Sequence, residues 1–155
     1  MRKLMVCLSV LGLATSFAGP ALAGDSWVGS WKLNAAKSKV GPNVIRAQTL
    51  KFEDTADGVK LTSHGTDADG KAMHGGYTSK FDGKDVPWAG NPMADTASPK
   101  RIDANTYENT WKKAGKATVI SKVSISKDGK TLTISQSGTD VKGTPVNSVA
   151  VYDRQ

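Results

Sequence analysis

His64 and His74 are the chain's only histidines, and Asp67-Ala68-Asp69-Gly70 lies between them. Imidazoles and carboxylates gathered in space could hold a divalent metal. Asp-x-Asp-Gly also opens a calcium loop, but the later oxygen ligands and the closing Glu are missing. The segment reads as a hairpin turn with a solvent-facing histidine on each flanking strand, and no metal is expected. There is no Gly-x-Ser-x-Gly elbow, phosphate loop or His-Glu-x-x-His helix. Asp82, Asp85, Asp95, Asp103 and Glu108 could supply a general acid and base pair. Turns concentrate carboxylates for conformational reasons, so no catalytic residue is assigned and no cofactor is implied. The residues left to carry function are polar or aromatic side chains in apolar company: Arg46, Gln48, Tyr77, Asn109, Trp111 and Gln136.

What would position them is a set of short strands. Asp-Gly recurs at 57–58, 69–70, 82–83 and 128–129, the last three followed by Lys. Such pairs favour tight hairpins, because the turns need positive φ. Between the turns lie β-rich runs at 27–33, 44–53, 59–65, 71–81, 84–88, 97–103, 106–113, 118–126, 130–138 and 148–154. Residues 34–39 could form one helical turn, and 90–95 reads as a loop. Most connections are short, so sequence neighbours should pair antiparallel. An all-β meander of this kind is a sandwich or an up-and-down barrel.

Alternation then assigns the inner faces. Val44, Arg46, Gln48, Leu50 and Phe52 share one, as do Val59, Leu61 and Ser63. Met73, Gly75, Tyr77, Ser79 and Phe81 share another, and so do Tyr107, Asn109 and Trp111. Val119, Ser121, Val123 and Ile125 form the next, followed by Leu132, Ile134 and Gln136. Polar members of these faces are costly to bury unpaired. Either they line a ligand-sized interior or they sit at a wet rim. In the first case Arg46 would pair an anionic head group, and Tyr77 and Trp111 would supply apolar faces. Trp88-Ala89-Gly90-Asn91-Pro92 is the most unusual loop, either a lid over the mouth or a cover for the core.

The first residues set the compartment. Arg2 and Lys3 precede an apolar run from Leu4 to about Ala18, and Ala21-Leu22-Ala23 stands before Gly24. That is the pattern of a secretory signal peptide over 1–23, leaving 24–155 as one domain. The run is too short and too rich in small residues for a good membrane span. The first mature residue would be Gly24 rather than a lipid-bearing Cys, and Cys7 falls within the removed segment. A periplasmic or secreted protein is expected. Loss of Arg2 and Lys3 takes the formal charge from +7 to +5. The lysines are dispersed and do not interleave with aromatics, so no nucleic-acid partner is expected, and no stable membrane insertion.

Gly29-Ser30-Trp31 near the start and Tyr152-Asp153-Arg154 at the end resemble lipocalins and fatty-acid-binding proteins, the calycin group. There a Gly-x-Trp motif opens the first strand, and its Trp closes one barrel end beneath a basic residue of the last strand. The whole pattern is similar to that of small exported lipocalin-like bacterial proteins. The resemblance implies an antiparallel up-and-down barrel of about 8–10 strands. It also implies a structural pair of Trp31 and Arg154 beside Gly29, and a small apolar or amphipathic molecule inside. Fatty-acid-binding proteins hold the ligand carboxylate with an Arg two residues before a Tyr of the last strand. Ala150 occupies that position here, so their binding mode is not carried over.

Overall fold

The computed structural model describes residues 26–41, 46–67 and 69–155, with the side chain of Arg46 outside that description. The expected signal segment 1–23, and Val44, also lie outside it. Ten strands follow one another: β1 (Gly29–Leu33), β2 (Arg46–Thr55), β3 (Gly58–Thr66), β4 (Ala72–Ser79), β5 (Val86–Pro87), β6 (Thr96–Asp103), β7 (Thr106–Lys113), β8 (Lys116–Ile125), β9 (Thr131–Thr139) and β10 (Pro145–Arg154). They form one sheet in the order β4-β3-β2-β1-β10-β9-β8-β7-β6-β5, with every adjacent pair antiparallel. The last strand therefore returns to the first, and the sheet curls into a nearly closed up-and-down barrel. Its seam lies between β4 and β5. There Gly76 and Ala89 exchange two backbone hydrogen bonds of 3.1 and 3.2 Å.

Alternation builds the wall. On β7, Tyr107, Asn109 and Trp111 are buried while Glu108 between them is exposed. On β8, Val119, Ser121, Val123 and Ile125 point inward together. The turns follow their side chains: the Asp128 carboxylate accepts the Lys130 N–H at 3.0 Å, the local bond that makes Asp a turn residue. Residues Ala35–Lys37 make a single 3-10 turn, and Asn34 caps it by accepting the Lys37 N–H at 3.1 Å.

One expectation fails on β2. Simple alternation puts Gln48 on the inner face with Leu50 and Phe52. The pairing with β3 slips between Ala47 and Thr49, however, so one extra residue stands in β2 at Gln48. Such a bulge reverses the phase of the strand before it. Ala47 turns inward and Gln48 is exposed.

One end of the barrel is closed by Trp31, which is fully buried. Its indole N–H donates to the Trp27 carbonyl at 3.0 Å. Arg154 is its direct partner across β1 and β10, and the guanidinium carbon lies 4.2 Å from the ring centroid. Arg154 also donates to the carbonyls of Gly129, Val28 and Ser26 at 2.6, 2.8 and 2.5 Å. Gly29 makes room for this: a Cβ there would fall 2.6 Å from Arg154 Nη1, and its φ is +138°.

Candidate ligand cavity

Above the Trp31 end the barrel encloses a cavity of about 60 Å³. Leu50, Phe52, Leu61, Met73, Val123 and Ile134 give it apolar walls. Into these walls are set polar groups from facing strands. Asn109 Nδ2 donates to the Tyr77 hydroxyl at 3.4 Å, and that hydroxyl lies 3.5 Å from the Tyr107 hydroxyl. The Asn109 carbonyl oxygen accepts the Ser98 N–H at 3.1 Å, which fixes the orientation of the amide. Trp111 donates to Ser121 Oγ at 3.1 Å, and Ser148 donates to Gln136 at 2.9 Å. Burial pushes the Tyr77 and Tyr107 phenols well above their ordinary range, so both stay neutral donors.

Four of the six residues singled out in the sequence, Tyr77, Asn109, Trp111 and Gln136, line this one cavity. Their alternation on β4, β7 and β9 brings them together. Gln48 is carried outside by the bulge. Arg46 is described only as the first residue of β2, paired with Thr66. Among the described residues, no Lys, Arg, Asp or Glu lines the cavity. An anion held by charge pairing has no described partner there.

The cavity wall also contains residues that alternation could not supply. Gly90 packs against β4 so closely that a Cβ would meet the His74 carbonyl at 1.7 Å. With φ at +73°, the position needs glycine. That contact lays the loop across the seam, and Trp88 and Asn91 become part of the wall. Trp88 stands edge-on to Tyr77 and Trp111, with ring centroids 5.1 and 4.9 Å away. It packs against both hydrophobic clusters of the barrel and is wall rather than a free flap. Asn91 Oδ1 accepts the Met93 N–H at 2.9 Å, which leaves Nδ2 as the free end. Asn91 Nδ2 and Trp88 Nε1 are buried, and neither has a hydrogen-bond partner in the protein. The Asn-Pro step marked this loop as irregular, but nothing in it signalled a buried, unpartnered amide.

The arrangement is compatible with binding a small molecule. Apolar walls would cover its body, and unsatisfied N–H groups would meet an acceptor. Among the described lining residues there is no carboxylate, imidazole or amine to act as a base beside the serines and tyrosines. No family model matches this chain, and no curated protein matches it significantly in sequence.

Proposed function

We propose that this is an exported, lipocalin-like barrel that binds one compact, neutral, amphipathic molecule in its interior and performs no catalysis. The observation that carries the proposal is the pair of buried, unpartnered donors, Asn91 Nδ2 and Trp88 Nε1, on residues of a cavity wall whose described members carry no charge. A buried donor left unmade costs about 1–3 kcal/mol, and a ligand carbonyl, ether or hydroxyl oxygen would recover it. The N-terminal pattern at 1–23 supports export, and the meander with its Trp31–Arg154 end supports the lipocalin-like assignment. Outward residues such as Lys60, Lys100, Glu108 and Lys122 are exposed, whereas a barrel in lipid carries an apolar outer band. Among the described residues, no helix is long and apolar enough to cross a membrane.

The cavity holds only a few heavy atoms, against about 300–1,000 Å³ for a drug-sized ligand. A larger guest needs the loop of Trp88 and Asn91 to swing outward from the two hydrogen bonds that tie Ala89 to β4. The small volume also favours a second reading, a filled barrel whose lysine-rich exterior is an envelope interaction surface. Native mass spectrometry of protein purified from its own host separates the two. A co-purifying mass that disappears in Asn91→Leu supports the binder. A bare mass, together with no saturable binding of small neutral probes of a few heavy atoms followed by tryptophan emission, overturns it.

A further inference from the structure

We infer that His64 and His74 form a binding site for a divalent transition-metal ion on the outside of the barrel, independent of the interior cavity. The two residues are direct cross-strand partners of β3 and β4. Their Nδ1 atoms face each other at 2.5 Å, with ring centroids 4.6 Å apart and the rings nearly perpendicular, at 84°. One of these nitrogens donates a proton to the other, and which one does so depends on the tautomer. A metal ion can take the place of that proton and use a lone pair from each ring.

The metric demand is small. Zn–N bonds of about 2.0–2.1 Å at a tetrahedral angle set the two nitrogens roughly 3.3 Å apart. Both side chains are exposed, so their rings can rotate open by that difference without disturbing packing. The backbones under them are held, because β3 is paired on one side by β2 and on the other by β4. Asp67 lies in the groove beside His74, but its Oδ1 is engaged by the N–H groups of Asp69 and Lys71. Among the described residues, no three metal-ligating side chains converge, so water completes the coordination sphere. A two-imidazole site of this kind selects borderline ions such as Zn²⁺ and Ni²⁺ over Mg²⁺. With two protein ligands its affinity falls below that of a closed four-ligand structural centre.

The test is calorimetric titration of the tag-free protein with ZnCl₂. One saturable equivalent is expected, with His64→Gln and His74→Gln each weakening it at least tenfold and MgCl₂ giving no binding heat. Imidazole proton resonances of the unaltered protein provide a second measurement that needs no variant. Both histidines should respond to Zn²⁺ and saturate at the same stoichiometry. The absence of saturable binding, variants that bind as the parent does, or a response from one ring alone each overturns the site.

Discussion

A guanidinium carries its N–H donors in a fixed plane, and Arg154 aims that plane at the carbonyls of Ser26, Val28 and Gly129 while its face lies on Trp31. Lysine, with a point-like ammonium, cannot reach all three and cover the ring. Arg154→Lys should therefore destabilise nearly as much as Arg154→Ala, by about 1.5–3 kcal/mol for lost hydrogen bonds to a charged group. Trp31→Ala should cost more, ~3–5 kcal/mol for a buried aromatic. The two effects should fall short of additivity in a double-mutant cycle read by urea denaturation, because removal of the ring also removes the platform for Arg154. Full additivity would mean that the stacking carries no energy. This end of the barrel was legible in the sequence because Gly29, Trp31 and Arg154 sit at fixed places in the first and last strands. Asn91 was not, since its importance comes from a loop laid over β4 rather than from any local pattern. The same residue sets a test of the interior. Asn91→Leu removes one free donor without adding charge, so it should weaken an acceptor-bearing neutral probe roughly tenfold, the equivalent of about 1.4 kcal/mol. A purely apolar probe should be weakened less, and equal losses would show that Asn91 shapes the cavity without donating to the guest.

At the scale of strands and turns, periodicity reads well wherever the ladder is regular and fails wherever one residue is inserted. The bounds of β7, 106–113, are legible in the sequence because Tyr107, Asn109 and Trp111 alternate without interruption between two turns. The outward position of Gln48 is hidden because a single-residue bulge leaves no compositional trace yet inverts the phase. The extent of β5 was also hidden, since its two residues owe their pairing to β6 more than to their own types. The Asp turns are the most local of these elements, and they make a prediction about acid. Backbone N–H groups of Lys84 and Thr144 hold the Asp82 and Asp140 carboxyls below their ordinary value, and the Ser126 hydroxyl does so for Asp128. Depressed folded pKa values stabilise the protein above the unfolded pKa of about 3.9, and that stability is lost as pH falls through the folded values. The melting temperature should be flat through neutral pH and decline below about pH 4. A melting temperature that rises on acidification would contradict the turn geometry. For the loop across the seam, Gly90→Ala forces a Cβ into the His74 carbonyl. The variant should release Trp88 toward solvent, seen as a red-shifted tryptophan emission, and should admit apolar probes faster than the parent.

The molecule as a whole is a ring of strands in which all three tyrosines, Tyr77, Tyr107 and Tyr152, face inward and are buried. They come from β4, β7 and β10, so their hydroxyls report on the interior from three sides. Tyr77 and Tyr107 meet each other, and Tyr152 donates to the Ala47 carbonyl at 3.0 Å. Burial raises all three phenols above their ordinary value, because a phenolate would have to be desolvated. The folded protein thus keeps protons that the unfolded chain releases near pH 10. The stability this provides is complete below that pH and is lost as pH rises toward the folded values, since the unfolded state then binds fewer protons. An alkaline titration should show no tyrosinate absorbance while the β-sheet circular dichroism persists. Above about pH 10 the absorbance of all three should appear in the same cooperative transition as the loss of the sheet. A neutral ligand held in the cavity binds only the folded barrel, so it should shift that shared transition to higher pH. If one phenol instead titrates at its ordinary value in a still-folded protein, water reaches that wall freely. The interior would then be an open, solvated well, and the unpartnered donors of Trp88 and Asn91 would be satisfied by solvent rather than by a guest.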